Sequence, residues 1–362
     1  MLSLKPFLIE QIERTPNRAI TFADYMAHCL YHPHDGYYQR RKQKLGKQGD
    51  FYTNAHVGDI YGEVLSRFFW KQLASHTRLK DWTIVEVGAG DGRLVAQLIA
   101  GFAHLGGAID DVQIYLVETS PYHRAVQQAY LAKLGAQINW VEKIADIPQN
   151  TYSFIYSNEL LDAMPVHRLK QEKGQLKAVY VTYDQQYDDW QEVWLSAPSI
   201  CHDRLEALGV SLAEGEEIEF STQALEWLET AYHWMERGAI CTIDYGLTHQ
   251  SSSIRAYRDH QLIDDWYRYP GEVDLTYNVN FEFLEKWGER LGLTTLLSKS
   301  QSQFLLEAGI LKWMLHEGAR DPFSPEAKRN RAITQLIHPD TMGDRFHVLW
   351  QGKNLKFLKE EG

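Results

Sequence analysis

The chain has 362 residues, enough for one large domain with insertions or a core plus a subdomain. Its formal charge of −11 argues against a nonspecific nucleic-acid surface, and no nucleic-acid partner is expected. Three scattered cysteines, Cys29, Cys201 and Cys241, form neither a metal spacing nor a disulfide framework, which fits a reducing cytoplasm.

No signal-peptide pattern stands at Met1–Pro6, and no apolar run approaches the length of a membrane span, so no membrane association is expected. Helix-period apolar residues mark Pro6–Glu13, Thr21–Leu30 and Ile60–Ser75, with Thr21 placed to cap the second. Between them lie a turn-rich aromatic loop, Tyr31–Tyr38, and a basic run, Arg40–Lys44. The run reads as a solvated loop, with contact to an acidic partner or cover for a ligand as the alternatives.

From Trp82 the pattern alternates strand and helix: Thr83–Val87, Gly92–Ala103, Val112–Val117, Pro121–Leu134, Ile138–Val141 and Tyr152–Ser157. This predicts a parallel α/β sheet built from right-handed βαβ units. Residues 166 to 196 break the rhythm. His167–Gln171, Lys177–Tyr183 and Gln191–Ser196 read as short antiparallel strands. Helices at Cys201–Leu208 and Gln223–Arg237 lead back to a strand at Ala239–Asp244. Further helices are expected at Asn280–Leu291, Ser302–His316 and Pro325–Leu336, then a last strand at Asp344–Gln351. The domain reading is a helical region at 1–76, a cofactor-binding core at 77–165, an insertion at 166–237, and the remaining core at 238–362.

The segment after the first strand of that core is the most informative. Glu86-Val87-Gly88-Ala89-Gly90-Asp91-Gly92 joins a buried strand to a helix through three alternate glycines. Glycines let a backbone approach a ligand closely. A dinucleotide site would need G-x-G-x-x-G, and its third glycine position is Arg93. The acid two residues before the first glycine instead suits S-adenosylmethionine, which carries an amino-acid tail and no pyrophosphate. Glu118, at the end of the next strand, is placed to accept both ribose hydroxyls.

Asn158-Glu159-Leu160-Leu161-Asp162 follows the buried run Phe154–Tyr156. If a helical turn starts there, Glu159 and Asp162 share one face and could grip a guanidinium bidentately. The alternative is a capping turn with Asn158 as N-cap. Asp244-Tyr245-Gly246 is a further loaded strand end. His28, His32 and His34 bunch near Asp35 but lack metal-ligand spacing, and a packing or solvated role is expected; no metal site is assigned.

Gly49-Asp50-Phe51-Tyr52-Thr53, Tyr61-Gly62-Glu63, the glycine turn, Leu116–Pro121, Asn158–His167, Ile243–Gly246, Arg255–His260 and Pro270–Thr276 occur in this order. Together they resemble the MidA-type S-adenosylmethionine-dependent methyltransferases, from about residue 20 to Val348. The resemblance implies a class I, Rossmann-like fold with a helical N-terminal region and an insertion. It implies that Gly49, Asp50, Phe51 and Thr53 border the cofactor pocket. Mitochondrial relatives methylate an arginine of a respiratory complex I subunit, which would make Glu159 and Asp162 guanidinium ligands and a protein the partner. Two departures stand out: Ala89 where the family often has proline, and Asn54-Ala55-His56 where it often has Ser-Pro-Glu. The rival functions are a small-molecule methyltransferase and a non-catalytic assembly factor that holds the cofactor. The oligomeric state is left open between monomer and homodimer.

Overall fold

A computed structural model describes residues 4–40, 53–106, 112–246, 253–259 and 261–355. Its centre is a seven-stranded sheet: β1 (Trp82–Val87), β2 (Gln113–Val117), β3 (Ile138–Val141), β4 (Tyr152–Asn158), β5 (Arg237–Tyr245), β6 (Thr294–Ser300) and β7 (Phe346–Lys353). The spatial order is β3-β2-β1-β4-β5-β7-β6. Strands β1 to β5 run parallel, and β7 is antiparallel to both its neighbours.

Both faces of this sheet are covered, which is why β1 is buried from Trp82 to Glu86 and mostly apolar, with Thr83 and Glu86 as its polar residues. Val85, Ile155, Ile240 and Leu349 point to one side, where they meet helices α1 (Leu4–Arg14) and α2 (Phe22–Tyr31) and the insertion. Ile84, Phe154, Cys241 and Trp350 point to the other, against α3 (Ile60–Ala74), α4 (Arg93–His104) and the helix Pro325–Ile337. Helix α5 (Pro121–Leu131) links β2 to β3. The Thr21 hydroxyl accepts the Asp24 amide at 3.0 Å and caps α2 as expected.

The strands His167–Glu172, Gln175–Asp184 and Asp189–Ser196 form the antiparallel insertion. Two additions were not legible in the sequence. Glu217–Phe220 pairs with the first of these strands, and Ile20–Thr21 pairs with the second. The N-terminal region therefore shares a sheet with the insertion. Near the C-terminus, Ser302–His316 is not one helix. It splits into Gln301–Glu307 and a short 3-10 turn, Ile310–Trp313, at Gly309, whose φ of 83° is left-handed. Strand β6 was missed because none of its residues is fully buried, so it carries little hydrophobic period.

Chain order sets the position of the site. From β1 the chain steps outward to β3, then returns across β1 to form β4. The loops leaving β1 and β4 diverge there and open a crevice at the strands' carboxyl ends.

Candidate active site

The crevice is a cleft lined by Glu86 to Asp91, Glu118 to Ser120, Asn158 to Leu160, and Thr53, Ala55 and His56 from the N-terminal region. Tyr31, Tyr38, His123 and Ala163 complete its wall. Of the residues singled out from sequence, Glu86, Gly88, Gly90, Glu118, Thr53, Asn158 and Glu159 lie in it. Gly92 and Asp162 do not. Gly49, Asp50 and Phe51 fall outside the described residues.

The glycine turn is shaped for close approach. Gly88 has φ 69°, and a Cβ there would stand 2.8 Å from Leu160 Cδ1. Gly92 has φ 83° and starts α4, packed beside Leu131 rather than facing the cleft. Only glycine takes both positions without strain.

Buried acids dominate the electrostatics. Glu86 is buried and accepts the Tyr156 hydroxyl at 3.0 Å. Burial pushes its carboxyl up to about 8. Glu118 Oε1 accepts the Ser120 amide at 2.8 Å, and Oε2 accepts Gln127 Nε2 at 3.1 Å. Gln127 also donates to the Gly90 carbonyl at 3.0 Å and accepts Trp140 Nε1 at 3.0 Å. This one side chain therefore ties the glycine turn to the acid of the next strand. Burial raises the Glu118 carboxyl above its ordinary range, against the pull of the Ser120 and Gln127 bonds.

Glu159 sits in the left-handed region, φ 55°, and no helical turn follows β4. The shared helical face expected for Glu159 and Asp162 does not form, and Asn158 is no N-cap. The cause is Asp244. Its Oδ2 collects the amides of Leu160, Leu161 and Asp162 at 3.1, 2.7 and 3.3 Å, a nest of successive N–H groups around one anion. Asp162 is buried behind the cleft, where burial and the neighbouring Asp244 and Glu159 charges push its carboxyl well up. Glu159 Oε1 accepts the Asn54 amide at 3.2 Å and Asn158 Nδ2 at 2.9 Å. Asn158 Oδ1 in turn accepts the Tyr61 hydroxyl at 3.0 Å. Glu159 Oε2 takes no hydrogen bond among the described residues. Burial pushes the Glu159 carboxyl up to about 8 and Asp244 to about 7.

The N-terminal aromatic loop closes the site. Tyr31 and Tyr38 stack at 5.6 Å; the Tyr38 hydroxyl donates to Asp274 at 2.8 Å and the Tyr31 hydroxyl to the Ala163 carbonyl at 2.9 Å. His28 and His32 pack on Phe7 at 5.0 and 4.6 Å, a packing role. Gln127 leaves no local signal in the sequence, and Tyr61 and His56, which fall in quoted segments, gain their partners Asn158 and Asp91 only across the fold.

The donor set fits S-adenosylmethionine. The glycine cradle would be filled by any Cβ at Gly88, Glu118 keeps lone pairs free for vicinal hydroxyls, and buried Glu86 awaits a cation.

Comparison with known proteins agrees. A family model for S-adenosyl-L-methionine-dependent methyltransferases matches residues 64–298. Protein arginine methyltransferase NDUFAF7, mitochondrial, of Rattus norvegicus is 30% identical over 356 residues, covering 91% of this chain and 80% of the relative. The Homo sapiens protein of the same name is 29% identical, covering 91% and 79%. A crystal structure of a Burkholderia thailandensis superfamily member bound to S-adenosyl-homocysteine superposes with a TM-score of 0.83. It is 27% identical and covers 98% of this chain and 92% of that one. The cytoplasmic assignment is corrected by these relatives, which are named mitochondrial. Cys29, Cys201 and Cys241 are free and buried.

Proposed function

The chain belongs to the MidA-type family of S-adenosyl-L-methionine-dependent methyltransferases, and from that premise we propose that it methylates an arginine side chain of a protein. S-adenosylmethionine, when bound, supplies a methyl group activated by a sulfonium. Glu118 would accept the ribose hydroxyls, the turn at Gly88 to Gly90 would let the cofactor lie against backbone, and Glu86 would meet its ammonium group.

The observation that carries the acceptor reading is Glu159. It is an acid at the switch point that lines the cleft, strained at φ 55°, with one oxygen held and the other without a hydrogen bond among the described residues. Among the described residues no lysine, arginine or histidine pairs with Glu159, Asp162 or Asp244. Buried carboxylates without a cation are costly, so a cationic acceptor would relieve them.

A guanidinium is a poor nucleophile because its lone pairs are delocalised. Glu159 Oε2 would accept from one N–H, orient the reacting nitrogen, and draw positive charge away from it. A bound guanidinium would favour the Glu159 carboxylate, which would then receive the proton the nitrogen sheds on methylation. Asn158, fixed by Tyr61, holds Glu159 in place, and Asp162 adds negative potential from behind. The rest of the contribution is alignment and exclusion of water.

Changing Glu159 to glutamine keeps the shape and removes the charge. Methylation should fall by about a hundredfold or more, with affinity for S-adenosylhomocysteine unchanged. An equal loss of cofactor affinity, or a change in thermal stability alone, would remove Glu159 from the acceptor side. Undiminished methylation of a small uncharged metabolite would shift the substrate class.

A further inference from the structure

Thr53 begins the short helix Asn54–Val57, where a threonine hydroxyl ordinarily accepts a backbone amide of its own first turn. Here it makes no such bond. Its Oγ1 lies 2.7 Å from His56 Nδ1, and His56 Nε2 lies 3.0 Å from Asp91 Oδ2. All three side chains line the cleft, two from the N-terminal region and one from the glycine turn. The segment is anchored elsewhere: Asn54 Nδ2 donates to Gln301 at 2.8 Å, and Gln97 donates to the Ala55 carbonyl at 3.0 Å. The Thr53–His56–Asp91 chain is therefore not needed to hold the segment down.

The direction of the hydrogen bonds follows from Asp91. Burial opposes its ionisation, but the hydrogen bonds from His56 and the Arg93 amide, with the nearby Arg93 guanidinium, outweigh it and hold the carboxyl below its ordinary range. An ionised carboxylate only accepts, so His56 Nε2 carries the proton. A ring whose single proton is on Nε2 presents its lone pair at Nδ1, and the Thr53 hydroxyl 2.7 Å away donates to it. Thr53 lines the cleft, and with its hydrogen given to His56 its oxygen can only accept there. A neutral hydroxyl has no such fixed polarity unless its hydrogen is committed elsewhere.

We propose that His56 is a positioning residue for the methyl donor: it commits the Thr53 hydroxyl hydrogen to itself, so that the Thr53 oxygen accepts an N–H of the donor's α-ammonium group. Glu86 lines the same cleft and supplies the anionic acceptor for that ammonium. Two acceptors from different parts of the chain then fix the amino-acid end of the donor, which fixes the direction of its methyl.

The test is binding alone, with no methyl acceptor present, so its outcome stands apart from the arginine reading. Isothermal titration would compare S-adenosylhomocysteine, its desamino analogue, and 5′-methylthioadenosine, which lacks the amino-acid end. Thr53→Val, nearly isosteric, should bind S-adenosylhomocysteine about tenfold more weakly, as expected for one hydrogen bond to a charged group. It should bind the other two compounds like the native protein. Thr53→Ser should restore the affinity. His56→Gln keeps a donor toward Asp91 and loses Nδ1, so it should weaken S-adenosylhomocysteine in the same direction. The double variant should be no worse than the poorer single one. Equal weakening of the desamino analogue by Thr53→Val would overturn the proposal, because the hydroxyl would then serve the carboxylate. Additive losses in the double variant would overturn it too.

Discussion

Replacing Glu118 by glutamine should weaken cofactor binding far more than its small change in shape suggests. In the structure the two Glu118 oxygens already accept one donor each, from the Ser120 amide and Gln127 Nε2. A carboxylate offers about four acceptor sites, so the two left over match a vicinal diol. A glutamine there has a donor NH₂ facing either an amide N–H or the Gln127 NH₂. Gln127 has no easy flip, because its oxygen holds Trp140 Nε1 and its nitrogen holds the Gly90 carbonyl. One bond to the ribose is lost, and the other falls from charge-assisted to neutral. At about 1.5–3 kcal/mol for a hydrogen bond to a charged group, S-adenosylhomocysteine should bind roughly ten- to a hundredfold more weakly. Isothermal titration with S-adenosylhomocysteine and its 2′-deoxy analogue is the assay. Native protein should discriminate strongly between them and the Glu118→Gln variant weakly. Binding within twofold of native, in a folded protein, would refute the assignment of Glu118 to the ribose.

Asp244→Asn should destabilise the protein by about 3 kcal/mol, because one carboxylate now serves four amides and an amide side chain must present an N–H to at least one of them; chemical denaturation would show it. Gly88→Ala should cost about 1–3 kcal/mol of stability and also depress cofactor affinity, from a left-handed φ and a 2.8 Å clash with Leu160. The Glu86 and Glu159 carboxyls are raised from 4.5 to about 8 in the folded protein. Their contribution to stability is therefore full below about pH 4.5 and is lost as pH rises through 8. The thermal midpoint of the ligand-free protein should fall across that window. An ammonium near Glu86 favours its carboxylate, so binding S-adenosylmethionine near pH 7 should release protons, seen as a buffer-dependent heat in titration calorimetry.

The part of the cleft built from the glycine turn and Glu118 was largely legible in the sequence because its signals are local. The run Trp82–Val87 is mostly apolar because both sheet faces are covered, and the three glycines follow because left-handed turns and close contacts exclude side chains there. Glu118 was found by its place at a strand end. The acceptor half was read less well. Glu159 and Asp162 looked like neighbours on a helix, and only the position of Asp244 on β5, reaching across to three amides after β4, turns that segment into a nest instead. Tyr61 and Asn158 are 97 residues apart, and Gln127 has no local pattern to distinguish it from a surface helix residue. Such partners depend on tertiary geometry alone. Edge strand β6 and Glu217–Phe220 escaped for a related reason: partial burial leaves no clear alternation.

The most direct test of arginine methylation is the chemical identity of the methylated product. The protein would be incubated with methyl-labelled S-adenosylmethionine and a protein extract from its own source, and the protein fraction hydrolysed to amino acids. The account predicts that the label co-elutes with methylarginine, and that the label disappears when the Glu159→Gln variant is used. Label confined to small molecules, or to lysine, histidine or carboxyl esters, would contradict it.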